Sequence, residues 1–234
     1  MVHGRSMCPN CRHTLRFGDL IPVFSWLYLR GKCRYCHKPI PDSPLLEIGM
    51  AVFFVASYYY WPQTLRGQGI VDLVVWLIVG VGLMALLVYD LRWMLLPNKI
   101  MYKLIGFALV ARLVDIVFFY GRHNFWLSSV LSVLVGGGIF YVLFVISSGE
   151  WIGGGDIKLG VLIGLMLASP AQSLLCIFLA SVLGSLVAIP LLITGKAKRN
   201  TRVPFGPFLI VGLVITKLFG TAIVTWYRQK LLLL

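Results

Sequence analysis

Residues 70–98 of the chain are IVDLVVWLIVGVGLMALLVYDLRWMLLPN, an apolar stretch that closes on an aspartate, a proline and an asparagine. A helix needs about 20 predominantly apolar residues to cross the roughly 30 Å hydrocarbon core of a bilayer. The run from 70 to 89 has that length, and Asp90 ends it. A carboxylate beside hydrocarbon is costly and is usually retained for function. The stretch therefore predicts a transmembrane helix with a functional carboxylate at one end.

Further apolar runs of the same kind fill most of the chain. Of the 234 residues, 59% are hydrophobic and only 12% are charged, whereas soluble domains average about 45–50% apolar residues. The runs are continuous rather than alternating, which favours helices over a β-barrel. We therefore expect an all-α, polytopic membrane bundle of about seven spans, a count left open by one because one run is short. The expected spans cover residues 45–61, 70–89, 100–120, 126–147, 157–169, 171–194 and 205–226.

Residues 1–44 precede these runs as a polar module, and residues 45–234 are expected to form the transmembrane domain. Four cysteines of the module stand in two CxxC pairs: Cys8, Cys11, Cys33 and Cys36. Two-residue spacing lets both thiolates of a pair bind one tetrahedral ion, so two pairs predict a four-cysteine metal site. A segment this short gains much of its stability from a structural metal. Zinc is favoured in a reducing cytoplasm, with two disulfides or free thiols as the alternatives.

Two histidines follow the cysteine pairs, and a fifth cysteine lies elsewhere. His13 and His37 are expected to be solvated neighbours of the metal site rather than ligands. Cys176 lies within an apolar run and is expected to pack there as a small hydrophobic residue.

The net charge of +13 is distributed over short loops between apolar runs, which argues against nucleic acid as a partner and for a lipid bilayer. Lys and Arg concentrate in alternate loops, as the positive-inside rule describes for membrane proteins. We predict that four parts of the chain face the cytoplasm: residues 1–44, the loop from Asp90 to Lys99, Asp156, and the loop from Lys196 to Arg202. This orientation places both aspartates at one face of the membrane. The basic residues of these loops outside the module are Arg92, Lys99, Lys103, Lys158, Lys196, Lys198, Arg199 and Arg202.

A second motif, Gly153-Gly154-Gly155-Asp156-Ile157-Lys158-Leu159, precedes another apolar run. Glycines allow unusual backbone dihedrals and the close approach of another chain. Such freedom suits a substrate strand laid beside Asp156, so Gly153, Gly154 and Gly155 are expected to position substrate. A plain loop or tight helix packing is the alternative, and packing is the expected role of residues 136–138. Lys158 is expected either to stabilise an anion near Asp156 or to anchor the topology.

Asp90 and Asp156 together predict one kind of chemistry. Two carboxylates a few ångströms apart cannot both ionise easily, so one keeps a proton and polarises a carbonyl while the other activates a water. The shared proton belongs to the pair. Each aspartate alone also fits an interfacial cap. The rival functions are a proton-coupled transporter, whose relay would more often lie at the midplane, and a zinc-dependent scaffold. We interpret the pair as the dyad of a membrane aspartyl endopeptidase.

These motifs, in this order, resemble the type IV prepilin peptidase family with its Gly-x-Gly-Asp motif, and the match covers almost the whole chain. The resemblance implies cleavage of the basic leader of prepilins and pseudopilins, just after a glycine, at the cytoplasmic face of the bacterial inner membrane. These products serve type IV pili, type II secretion or competence. The segments that carry the resemblance are the four cysteines, Asp19-Leu20-Ile21-Pro22 with Ser25-Trp26, Asp90 with Pro97-Asn98, Glu150 with Gly153 to Leu159, and Pro204-Phe205-Gly206-Pro207-Phe208.

The resemblance further implies that many members methylate the new N-terminus with S-adenosylmethionine. Glu47, in a family-like segment, is a candidate for that site, with an interfacial cap as the equal alternative. The chain departs from the family pattern at its start. Members usually have an apolar span before the first CxxC, whereas this chain has only Met1 to Met7 there. We therefore expect seven spans rather than eight.

Overall fold

A computed structural model describes residues 6–40, 44–120, 123–194 and 204–232. Within these ranges the chain is helical, and its β-structure consists of two isolated bridges, Met7 with Thr14 and Lys32 with Pro39. The predicted all-α class is confirmed. The chain divides into two compact units, Met1–Ala56 and Ser57–Leu234, so the division falls later than the end of the polar module at residue 44.

The first unit contains the cysteine pairs with a 3₁₀ turn, Phe17–Asp19, and a short helix, α1 (Phe24–Tyr28), between them. Asp19 connects this segment to the second cysteine pair. Its carboxylate forms an ion pair with Arg34 Nε at 2.8 Å and accepts a hydrogen bond from the Tyr35 hydroxyl at 3.2 Å. These polar links replace the apolar core that a module of this size lacks.

Each expected span corresponds to one helix. Among the described helices, α3, α5, α7 and α8 are long and apolar enough to cross a membrane. The other three are shorter or more charged, and α2 runs across the division between the two units. The helices are α2 (Leu45–Tyr59), α3 (Gln68–Trp93), α4 (Asn98–Asp115) with a π-helical turn at Ile116–Tyr120, α5 (His123–Ile146), α6 (Gly154–Leu167), α7 (Pro170–Ile193) and α8 (Gly206–Leu232).

The short helix α6 is the centre of the second unit, where it packs against α4, α5, α7 and α8. It is apolar on all sides, which is the pattern of a helix buried on all sides, and its residues from Leu159 to Leu167 are buried apart from Val161. At 1.5 Å per residue, its 14 residues span only about 21 Å. The helix therefore ends within the bundle rather than at its far surface.

Polar side chains from neighbouring helices satisfy the carbonyls at the end of α6. Ser128 Oγ donates to Ala168 O, at the C-cap, at 2.9 Å, and Lys217 Nζ donates to Met166 O at 3.0 Å. An unpaired carbonyl in an apolar interior costs several kcal/mol, so these two contacts allow the helix to stop where it does.

Glycines let α5 and α6 approach closely. A Cβ on Gly136 would collide with the carbonyl oxygen of Gly160, and a Cβ on Gly160 would collide with that of Gly136. Gly137 lies against the side chain of Val161, and a Cβ on Gly137 would lie 2.7 Å from Val161 Cγ2. Small residues at helix interfaces are typical of membrane bundles. The predicted packing role is confirmed for Gly136 and Gly137, whereas a Cβ on Gly138 would meet nothing within 4 Å.

Candidate active site

Asp90 lies in the last turn of α3, where only 6% of its surface is exposed. The helix ends at Trp93 because Met94 adopts a left-handed conformation (φ 50°, ψ 40°) and donates its N–H to Asp90 O. Pro97 is the N-cap of α4, so the chain turns between these helices in four residues. The predicted elbow is present, although α3 ends three residues before Leu96, the expected break.

Asp156 lies in the first turn of α6, after Gly153 in an extended conformation (φ −77°, ψ 149°). None of the three glycines before Asp156 has a positive φ, so the expected unusual dihedrals are absent. Gly155 alone of the three provides close approach, since a Cβ on Gly155 would lie only 2.9 Å from Leu96 Cδ1. Leu96 belongs to the elbow that follows Asp90. Gly155 therefore lets the two aspartate-bearing turns pack together.

The two carboxylates act on each other electrostatically. Asp156 lies outside the four membrane-crossing helices and is half-buried. Its burial, together with the nearby Asp90 carboxylate, raises the pKa of Asp156 from 3.8 to about 6. Two such groups favour a state in which they hold a single proton. The structure therefore brings together the two aspartates that the sequence singled out and gives them unequal surroundings.

Lys158 joins the starts of α6 and α4 beside this pair. Its Nζ donates a hydrogen bond to Asn98 Oδ1 at 2.6 Å and lies 5.0 Å from the centre of the Tyr102 ring. Asn98 is the first residue of α4, directly after the Asp90 elbow. The contact links the two motifs at the rim of the site.

Gly206 is a site residue that sequence reasoning missed. Its backbone N–H, at the start of α8, donates to the Asp90 carboxylate, and a Cβ at this position would collide with Asp90 Oδ2. A glycine between Pro204-Phe205 and Pro207-Phe208 was the available signal, since such a sequence indicates a constrained turn with room for close approach. The turn packs through Phe205, whose ring centre lies 6.1 Å from that of Phe140.

The predicted metal ligands form one cluster in the first unit. The Sγ atoms of the four cysteines all lie within 4.8 Å of one another, and those of Cys8 and Cys36 are 3.9 Å apart. Tetrahedral zinc with Zn–S bonds of 2.3 Å needs sulfurs about 3.8 Å apart, so the cluster can hold a metal ion. The backbone N–H groups of Cys11 and Asn10 lower the pKa of Cys8 to about 6. These donors favour the thiolate form that binds metal.

Glu47 has a contact of its own within the first unit. Its carboxylate accepts a hydrogen bond from the backbone N–H of Val23 at 2.6 Å. Val23 has a φ of 61°, an outlier for a β-branched residue, and the bond to Glu47 holds that turn. This contact gives Glu47 a structural role within the first unit, and the methylation role of Glu47 stays a prediction. The basic loop from Lys196 to Arg202 lies outside the described residues.

Comparison with known proteins agrees with this arrangement. Residues 1–61 match the model of the bacterial peptidase A24 N-terminal domain, and residues 77–189 match the type IV leader peptidase family. Similar proteins include the prepilin leader peptidase/N-methyltransferases of Bacillus subtilis (strain 168), 32% identical over 99% of this chain and 88% of that protein, and of Aeromonas hydrophila, 31% identical over 97% and 76%. No solved structure matches the chain significantly. Its sequence similarity and paired aspartates establish that the chain belongs to the type IV leader peptidase family.

Proposed function

We propose that this chain is a membrane endopeptidase that removes the leader of prepilin-type substrates with Asp90 and Asp156 as its catalytic dyad. The observation that carries the proposal is the electrostatic interaction between the buried Asp90 and the half-buried Asp156. The turn between α3 and α4 and the start of α6 pack against each other at this point. Relatives that are about 30% identical over nearly the whole chain are named prepilin leader peptidases. A substrate peptide bond laid between the two turns would face both carboxylates.

The unequal surroundings of the two aspartates suggest a division of roles. Asp156, with its raised pKa, keeps a proton and donates it to the oxygen of the scissile carbonyl. Asp90, whose carboxylate accepts the Gly206 N–H, takes a proton from a water, whose oxygen bonds to the carbonyl carbon. The C–N bond then breaks as Asp90 passes its proton to the leaving amine and Asp156 recovers its own. The products are the leader carboxylic acid and a new N-terminal amine.

The residues around the dyad are suited to positioning the substrate. Gly153 and Gly154 are exposed, and a Cβ on Gly154 would meet nothing within 4 Å, which leaves room for a substrate backbone. Gly155 packs against Leu96, so it affects substrate positioning only indirectly, through the packing of the two turns. Lys158 is held at the rim by Asn98, where its ammonium group can orient a peptide carbonyl or carboxylate.

The cysteine cluster fits zinc in a structural role. Four thiolates complete a tetrahedral site and leave no open position for a catalytic water. Zinc would therefore stabilise the fold of the first unit, with Cys8, Cys11, Cys33 and Cys36 as its ligands.

The names of the relatives include a second activity, N-methyl transfer. We infer that the amine released by cleavage would be its substrate and S-adenosylmethionine its donor. Glu47 is the candidate residue for this step, and its bond to Val23 would have to be released or shared for it to act.

We propose a bacterial inner-membrane location with the dyad at the cytoplasmic face. Arg92, Lys99, Lys103 and Lys158 all lie at the dyad end of the second unit, and a concentration of basic residues marks the cytoplasmic side. Single cysteines placed at Asn98 and Gln63 in a cysteine-depleted chain should be labelled from opposite sides of the membrane. Labelling of Asn98 only from outside the cell would contradict this orientation.

The function is tested by leader removal from a prepilin by the reconstituted full chain. Asp90→Asn and Asp156→Asn keep the side-chain size but abolish proton transfer, so each should lower turnover by about 100-fold or more. The double variant should be little worse, because the pair acts as one unit. Asp72→Asn, a carboxylate at the other end of α3, is the matched control and should retain most activity. Near-wild-type turnover by Asp156→Asn would overturn the mechanism.

A further inference from the structure

A second polar site lies at the end of the second unit opposite the dyad. There the loops before α3 and between α6 and α7, together with residues of α3, α4, α7 and α8, surround a cavity of about 280 Å³. Its lining carries charges of both signs, from Asp72, Arg112, Asp115 and Lys217. Ionisable side chains among membrane helices are expensive and usually functional, yet the cleavage mechanism uses none of these four.

Lys217 supplies one cation of the cavity. Its Nζ donates to Met166 O in the last turn of α6 at 3.0 Å and lies 5.6 Å from the Trp61 ring centre. A helix C-terminus carries partial negative charge, so the early end of α6 holds this ammonium group in place. Two of the three ammonium hydrogens remain for another acceptor.

Arg112 and Asp115 form a fixed pair on α4. Arg112 Nη1 lies 3.5 Å from Asp115 Oδ2, and the guanidinium carbon lies 4.1 Å from the centre of the Phe125 ring. Asp115 is buried and accepts a hydrogen bond from Gln68 Nε2 at 2.6 Å. The pair presents a positive and a negative group in a defined geometry at the cavity wall.

Asp72 completes the arrangement from α3. Its carboxylate is half-exposed, lines the cavity and interacts electrostatically with both Asp115 and Lys217. With it, the lining has two cations and two anions and no net charge. Such a lining suits a ligand that carries both charges rather than an ion of one sign.

We propose that this cavity binds a small zwitterion of the phosphoethanolamine class, with its phosphate on Arg112 and Lys217 and its primary ammonium on Asp72 and Asp115. Guanidinium and ammonium groups are strong phosphate donors, and a primary ammonium can donate hydrogen bonds to both carboxylates. The volume is near the lower limit of small-molecule pockets. Because the cavity lies at an end of membrane helices, a phospholipid head group is the nearest source of this chemistry, and a soluble zwitterion is the other.

The test is lipid retention by the purified full chain. Protein extracted from bilayers with equal amounts of phosphatidylethanolamine, phosphatidylcholine and phosphatidylglycerol is analysed by native mass spectrometry. Phosphatidylethanolamine should be retained preferentially, because choline has no N–H donor and glycerol has no ammonium group. Asp72→Asn and Lys217→Met should each weaken this retention roughly tenfold or more. Arg66→Met, a cation of the neighbouring loop outside the cavity lining, is the matched control and should retain the lipid.

The soluble source is tested by titrating delipidated protein with glycerophosphoethanolamine. Binding that depends on Asp72, without selective lipid retention, would support the zwitterion site and assign it a soluble ligand. Equal retention of all three lipids without such binding would overturn the proposal, as would binding that neither Asp72→Asn nor Lys217→Met weakens. Thermal unfolding checks that each variant is folded. If Lys217→Met does not fold, Asp72→Asn decides, because its half-exposed amide leaves no buried gap.

Discussion

The backbone N–H of Gly206 donates a hydrogen bond to the Asp90 carboxylate, which joins the start of α8 to the end of α3. The same turn of α3–α4 touches the start of α6, where Gly155 accommodates Leu96. Three chain segments that are distant in sequence thus meet at one pair of aspartates.

Gly206→Ala should therefore impair catalysis although it adds only a methyl group. The new Cβ would collide with Asp90 Oδ2 and displace the carboxylate, and a shift of about 1 Å can lower turnover by about 100-fold. Gly106→Ala is the matched control, because a Cβ there would meet nothing within 4 Å. Leader-removal kinetics should show a loss in kcat for the first variant alone. Equal activity of both variants would contradict the role of Gly206.

The pH dependence of cleavage should reflect the proton on Asp156. A raised pKa means that this proton stays bound to higher pH and is lost as the pH rises through about 6. If Asp156 is the acid, kcat/KM should fall above that pH by up to tenfold per unit. Leader removal measured from pH 5 to pH 8 gives the profile, and Asp72→Asn should leave its alkaline limb in place. A flat profile to pH 8 would contradict the assignment of Asp156 as the acid.

The Lys158–Asn98 hydrogen bond should couple the two motifs. Lys158→Met and Asn98→Ala each remove it, and the loss of one exposed charged contact is expected to lower kcat by roughly two- to fivefold. The double variant should be no worse than either single variant, because both remove the same interaction. Multiplicative effects of the two changes would instead show that Lys158 acts independently of Asn98. Lys158→Arg should restore part of the activity.

Metal binding should depend on the cysteine cluster alone. The purified chain should contain about one zinc ion, and Cys11→Ser or Cys36→Ser should lower that content and destabilise the first unit. Cys176→Ser is the matched control: this buried thiol lies 3.8 Å from Leu209 O, outside the cluster. Elemental analysis and thermal unfolding with and without a chelator measure both effects. Unchanged zinc in the cluster variants, or two native disulfides, would refute the site.

Local sequence pattern was sufficient to predict the helices and the four-cysteine cluster, whereas Gly206 was not among the predicted site residues. Long continuous apolar runs predict membrane helices, and each of the seven expected spans corresponds to a helix. Paired CxxC spacing likewise limits where four thiolates can meet. The end of α3 was predicted less well. The prediction relied on the conformational preference of the residue before Pro97, whereas the left-handed conformation of Met94 ends the helix.

The sequence by itself determined that this is a helical membrane protein with a four-cysteine cluster and two aspartates at span ends, because hydropathy and ligand spacing are local properties. Only the tertiary structure decided that Gly206 holds Asp90, that Gly155 joins the two aspartate-bearing turns and that Asp72 and Lys217 share a cavity. These relationships depend on how the helices pack. Their contacts join residues far apart in the chain, so no periodicity or motif within one segment records them.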